Sequence, residues 1–488
     1  MKIMKDFIAE IRKIRTDELI LALSELSIQM FQSETRHMKN LPIQVNQFGV
    51  WQNKEVLLTA WDILNVEFLS IKNSNDYRDS KQKSSIGELI NLYRGYENAQ
   101  KDLEYLKDGS LNEVFRTVLG MTAEQFQYQN LDYFFERFNR NYYILVAADK
   151  FEHRDSLDVS AALENVFGYS VQDYLSIMLM VYWLCSKCPE PLSAPESVYK
   201  KTNTTVFTKE NITNFVKHYS CSYTDLRDSS LGKQLLYSKP FIKTDRSSKY
   251  IASSMLVVFM LIGNGLYWIV RDYYQKKGTQ EFPNKFGLLF EDYIKDLALK
   301  YCKSNEWQVI EQGVEKGADF LFDFGDLRLL VEAKSALLKL DAKQQVPNLH
   351  SANQFFERNI EESYKQLNRS FEEFSKKGDS PIAKIILLYD EFSNTAIIEH
   401  SLFDVFQEDK KFFVMTIRQF EILLHLHKHN TDKFESVLQK IIDYMNSSSS
   451  KINMDALYSE LDINENPLFE GEMDYFQKQM QHFEMNLK

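Results

Sequence analysis

The chain has 488 residues, 44% hydrophobic and 26% charged, with only 16 Gly and 9 Pro; this excludes a disordered, collagen-like or loop-dominated protein. A formal charge of −11 excludes a histone-like coat for nucleic acid, but not an enzyme with a local basic groove. Four irregularly spaced cysteines make no disulfide framework, and the N-terminal "MKIMKDFIAEIRKIRTDEL" lacks the apolar stretch of a secretory signal. A reducing cytoplasm is therefore the expected compartment.

Residues 1–275 are expected to form an irregular α-helical domain. "TDELILALSELSIQMFQ" and "IGELINLYRGYENAQKDLEYLK" carry apolar residues at three- and four-residue spacing. Ser170 with Asp173 has the form of a helix-opening capping box, as does Thr122 with Gln125. "FIK" and "KYIAS", joined by a polar turn, predict a small hairpin over 241–253. Next comes "IASSMLVVFMLIGNGLYWIV", uncharged over 251–270 and long enough to span a bilayer. Its Ser253, Ser254 and Gly263-Asn264-Gly265 favour a buried core helix, and no membrane partner is expected. The polar "QKKGTQEFPNKFG" marks a domain boundary near residue 276.

Beyond it the pattern changes. "GLLFEDYIKDLALKYCKS" predicts an amphipathic helix, and "WQVIE", "ADFLFDF" and "LRLLVEA" predict three strands, the last two joined by a Gly325-Asp326 turn. A long helix over "SANQFFERNIEESYKQLNRSFEEFSKK" and the strands "IAKIILLYD" and "KFFVMTI" follow. The expected class is α+β and multidomain: a helical domain over 1–275, a mixed domain over 276–425 and a helical C-terminal extension over 426–488.

Glu332 and Lys334 are unusual at the end of an otherwise apolar strand, where charges are costly unless paired or bound. At i and i+2 they share one face. The turn at Gly325-Asp326 can bring Asp319 beside them. Two carboxylates in an apolar sheet raise each other's pKa, and a Mg²⁺ ion between them removes that conflict.

Asp319 ahead of one strand and Glu332-Ala333-Lys334 on the next, with this element order, resemble the PD-(D/E)XK nuclease superfamily. The likeness covers roughly 150 residues and lacks the namesake proline, Ala318 standing before Asp319. The resemblance implies a restriction-endonuclease-like αβββαβ core and Mg²⁺-dependent hydrolysis of phosphodiester bonds, with Mn²⁺ as a substitute. DNA is the expected substrate, ahead of RNA. Asp319, Glu332 and the Ala333 carbonyl would hold the metal, joined by Glu291 on the first core helix. Lys334 would orient the attacking water or stabilise transition-state charge, and Gln366 would assist from the next helix, with Gln354 the weaker candidate. By analogy the role is bacterial restriction or anti-phage defence, as a homodimer or with a defence-system partner. The competing expectation is an Asp/Glu–Lys ion pair in a helical sensor or scaffold protein whose nuclease-like fold is inert.

Other signals have blander explanations. Cys185, Cys188, His218 and Cys221 have the residue types of a zinc site but lack a knuckle, which favours buried thiols. His425, His427 and His429 fit a solvated helix end. Lys339, Lys343, Arg358, Lys365 and Arg369 form either a phosphate-binding groove with Lys334 or a solvated face balanced by Glu357, Glu361 and Glu362. No phosphate-binding P-loop or nucleophile elbow is present.

Overall fold

The computed structural model describes residues 2–32, 43–45, 49–51, 60–73, 76, 86–104, 118–120, 122, 132–200, 206–278, 280–311, 313, 316–343, 348–392, 395–401, 409–447, 452–464, 466–469 and 471–486. The N-terminal part opens with helices α1 (Lys2–Ile11) and α2 (Thr16–Gln32), a short strand pair β1 (Ile43–Val45) and β2 (Gly49–Trp51), then α3 (Ala60–Asn73) and α4 (Ile86–Glu104). Phe7, Ile11, Leu23, Ile63 and Ile90 close a small core of their own among these helices. The β1–β2 pair was not foreseen: it has only three residues per strand, too few to give a periodic signal.

Helix α5 (Asp132–Tyr142) and helix α6 (Val171–Cys185) follow. The Ser170 hydroxyl caps α6 by accepting the Asp173 N–H at 3.1 Å, as its sequence predicts. Gln125, the partner in the other expected capping box, lies outside the described residues. The expected hairpin forms between β4 (Phe241–Lys243) and β5 (Tyr250–Ala252), and it gains a third, parallel strand, β3 (Ser220–Ser222).

The apolar 251–270 stretch becomes helix α7 (Met255–Gln275), and it lies in the protein core. Gly263 explains the interruption in its sequence. A Cβ there would sit 2.9 Å from the Phe134 carbonyl oxygen of α5, so the two helices cross with their backbones nearly touching. Asn141 seals the crossing by donating to the Gly263 carbonyl at 2.7 Å.

Helix α8 (Glu281–Tyr301) leads into strands β6 (Trp307–Val309), β7 (Phe320–Asp323) and β8 (Arg328–Lys334). The long helix after β8 is divided. Helix α9 (Leu349–Phe356) and helix α10 (Glu362–Phe374) join through a wide π turn over Glu357–Glu361. Strand β9 (Ile382–Leu388), helix α11 (Thr395–Ser401) and strand β10 (Phe412–Thr416) complete a five-stranded mixed sheet in the order β10-β9-β8-β7-β6. The β6-β7-β8 pairings are antiparallel and the β8-β9-β10 pairings parallel. The sequence reading runs from β9 to β10 without a helix, whereas α11 lies between them; a parallel pair needs such a crossover. Helices α12 (Ile417–His429), α13 (Thr431–Asn446) and α14 (Tyr475–Asn486) follow. The protein is thus a mixed α+β molecule, dominated by helix.

Each face of the sheet buries its own apolar layer. Phe320, Phe322, Leu329, Val331 and Ile385 point toward α7, α8 and α12, in one core with the N-terminal helices. Leu321, Leu330, Ile386 and Val414 point toward α9 and α10. Alternation along β7 and β8 therefore sends Asp319, Glu332 and Lys334 to the α9–α10 side.

A buried charge cluster ties the helices to the sheet. Arg140 of α5, 1% exposed, donates to both oxygens of Glu421 at 2.7 and 2.8 Å and to Glu391 at 3.0 Å. Tyr293 of α8 donates to Glu421 at 2.6 Å. Removing one partner strands the other charges away from water. Arg140→Ala is expected to cost about 3–5 kcal/mol in urea unfolding, and Glu421→Gln less, because the amide oxygen still accepts. Equal small losses for both would show the cluster to be energetically idle.

Candidate active site at the end of strand β8

Register puts the acids together. Phe320 pairs with Val331, and the Asp319 N–H donates to the Val331 carbonyl at 3.0 Å, so Asp319 lies beside Glu332. The Ala333 N–H donates to Asp319 Oδ2 at 2.8 Å and fixes that carboxylate across the strand pair. Just upstream, Gly317 allows a close approach: a Cβ there would lie 2.6 Å from the Ser370 hydroxyl of α10, which itself accepts the Ala318 N–H at 2.8 Å.

Glu332 is 2% exposed. Its Oε1 accepts from Lys334 Nζ at 2.6 Å, while Oε2 is buried and meets no N–H donor; a hydrogen bond between the two carboxyl groups also helps to hold the Asp319 pKa down. Gln366 of α10 reaches the same ammonium, with Oε1 3.4 Å from Lys334 Nζ. Burial, then the neighbouring Asp319, push Glu332 up to about 8, against the pull of Lys334. Asp319 is raised by burial, offset in part by the Ala333 N–H and Lys334. Glu291 of α8 is raised by burial and then by Asp319, which brings the third acid into the same field.

The structure thus gathers Asp319, Glu332, Ala333, Lys334, Glu291 and Gln366 in one place. Lys295 and Lys316 also act here, lowering Glu291 and Asp319 respectively. Neither was singled out from the sequence, although Lys295 follows Glu291 at i+4 on one helix, a readable signal. Gln354 points elsewhere and contacts His350 at 3.0 Å.

The donor set suits a divalent cation. Three carboxylates converge here, and the most buried, Glu332, has an oxygen without an N–H donor. A hard cation bound by oxygens would satisfy both conditions.

The basic residues divide. Lys343 is buried and its Nζ is 2.6 Å from Asp390, so its charge is already matched and it is no open groove cation. Arg369 donates to the Lys316 carbonyl at 3.1 Å. Lys339, Arg358 and Lys365 are exposed.

The histidine run departs from a solvated helix end. His425 is buried against the Tyr301 ring, and His427 sits 2.8 Å from Glu306. Although burial favours its neutral form, Glu306 is held down at about 2 by hydrogen bonds from His427 and Lys303. Cys302, Glu306 and His427 place their ligand atoms within 4.8 Å of one another, as do Glu152, His153 and Asp292. Neither group includes Cys185, Cys188, His218 or Cys221. Cys185 and Cys221 are buried thiols, both pushed upward by burial.

Glu332 makes stability depend on pH. The folded chain keeps its proton up to about pH 8, whereas an unfolded glutamate releases it near 4.5. Stability from this group is therefore full below 4.5 and declines as pH rises through that window. In EDTA, Glu332→Gln should unfold at a higher temperature than wild type at pH 8, with the gap closing near pH 5. Mg²⁺ should stabilise wild type alone. Parallel pH profiles for the two proteins would contradict the buried-acid geometry. Comparison with protein families, curated proteins and solved structures finds no match to this chain.

Proposed function

We propose that the protein is a metal-dependent nuclease of the PD-(D/E)XK type, hydrolysing phosphodiester bonds in DNA. The observation that carries the proposal is the buried oxygen of Glu332 that meets no N–H donor, set beside Asp319 with Lys334 two residues on. Helix α8, the antiparallel β6-β7-β8 strands, α9–α10 and the parallel β9 fit the order of a restriction-endonuclease-like core.

Asp319, Glu332, the Ala333 carbonyl and Glu291 would hold Mg²⁺, or Mn²⁺ in its place. A bound divalent ion lowers the pKa of a water and polarises a phosphate. The chain's own groups do the rest. The Ala333 N–H keeps Asp319 in place. Lys334 offers a positive charge to a phosphate oxygen or to the attacking water, and Gln366 holds that ammonium from α10. Glu332, once ionised, holds Lys334 at the strand end. A role in restriction or anti-phage defence, with the N-terminal helices as sensor or assembly platform, is the biological setting that this chemistry suits.

Supercoiled plasmid, linear duplex, single-stranded DNA and RNA incubated with purified protein and Mg²⁺, Mn²⁺, Ca²⁺ or EDTA test the proposal. Cleavage is expected with Mg²⁺ or Mn²⁺ only. Asp319→Ala and Lys334→Ala should each lower the rate at least about 100-fold, and Gln366→Ala less. Absence of cleavage on every substrate, together with no Mn²⁺ binding that Asp319→Ala removes, would leave the inert scaffold as the function.

A further inference from the structure

A cavity of about 490 Å³ opens where the chain leaving β8 meets α7 and α8, within the roughly 300–1,000 Å³ range of small-molecule sites. Its wall begins at Ser335, the residue after Lys334. Gly287, one turn before Glu291 on α8, faces Ser335 closely enough that a Cβ would lie 3.6 Å from its hydroxyl. The cavity and the acid cluster are therefore neighbours.

Its lining is cationic, against an overall charge of −11. Arg137 of α5, Lys339 and Arg358 line it, and among the described residues none of these side chains makes a hydrogen bond or ion pair. Arg137 is half-buried, and a guanidinium drawn out of water without a partner is costly. Its field reaches the buried Glu391, which is already bound to Arg140, and also Lys343, whose pKa it helps burial to lower. The one acid of the lining, Asp390, is already used: it binds Lys343 at 2.6 Å and the Leu338 N–H at 2.8 Å.

The aromatic lining shows the same contrast between used and unused groups. Tyr267 packs edge-on against Phe282 and Phe286 at 5.1 and 5.0 Å. Trp268, half-buried beside it, makes no ring contact and no hydrogen bond among the described residues. A half-buried indole on the cavity wall, packed on the core behind it, and cations without hydrogen-bonded partners match a ligand with a flat aromatic part and a negative one.

We infer that this cavity receives a nucleotide, its base against Trp268 and its phosphate among Arg137, Lys339 and Arg358. Beside the acid cluster, that nucleotide belongs to the strand being cut, so the protein engages single-stranded or locally unpaired nucleic acid. The strand assignment rests on the proposed nuclease function; the nucleotide binding does not.

The test measures binding of a fluorescently labelled single-stranded oligonucleotide to the full chain in EDTA, where metal-dependent cleavage is silent. Unlabelled duplex and free mononucleotides serve as competitors. Tight single-strand binding is expected, with about a tenfold loss in Arg137→Gln and in the exposed Arg358→Gln. Tryptophan fluorescence should be quenched on binding in wild type and not in Trp268→Phe. Displacement by mononucleotides alone would retain the nucleotide pocket and overturn its assignment to the cut strand. No binding of any of these ligands, or binding and quenching unchanged in all three variants, would overturn the inference outright. Because no metal is present, absence of cleavage in the plasmid assay leaves this outcome independent.

Discussion

Arg140 is the tie on which the relative placement of helices and sheet depends. Apolar surfaces such as those of α7 and α8 can slide with modest loss, because burial is non-directional. A guanidinium bound to both oxygens of Glu421 and to Glu391 allows only one arrangement. Tyr293, on the same bond network, sits two residues after Glu291, and Arg137 lies one turn before Arg140 on α5. One buried cluster thus fixes the helix that brings an acid to the candidate site and the helix that brings a cation to the cavity.

The same physics has opposite outcomes at the two buried charge clusters. Around Arg140 each carboxylate oxygen near the guanidinium has a donor, and the arginine's carboxylate partners hold it firmly protonated against the effect of burial. At the end of β8 burial, and then Asp319, raise the pKa of Glu332, and its Oε2 meets no N–H donor. A sheet could avoid that cost with leucine at the same position, as it does at Leu330 two residues earlier. A cluster that is stabilising points to architecture; one that is destabilising as it stands points to a ligand.

Much of the sheet and of the candidate site was legible because the signals were local. An i,i+2 pair of charges on an apolar strand, a Gly-Asp turn and an acid one hairpin away need only strand geometry to be brought together, and the register placed Asp319 beside Glu332. Ser170 and Asp173 were equally local. What stayed hidden was long-range. His425 and His427 sit in a plain helical pattern, and only the fold brings Tyr301 and Glu306 to them. Lys343 looked like a groove cation because Asp390, its partner, lies 47 residues away. The Gly263 interruption in α7 marked a helix crossing whose other half, Phe134, is over a hundred residues upstream.

The acid cluster and the cavity pose complementary electrostatic problems side by side. One gathers three carboxylates around a buried oxygen that meets no N–H donor, and the other gathers Arg137, Lys339 and Arg358, whose side chains make no hydrogen bond or ion pair among the described residues. The acids are held in place on their side, Asp319 by the Ala333 N–H and Glu332 by Lys334. A nucleic-acid strand with its divalent counterion carries both missing charges at once, the cation toward the acids and the phosphates toward the cavity. On that reading the protein's overall acidity is an asset to discrimination. Repulsion from the body of the molecule would penalise polyanions at random positions, and the cavity cations would attract them only beside the acid cluster.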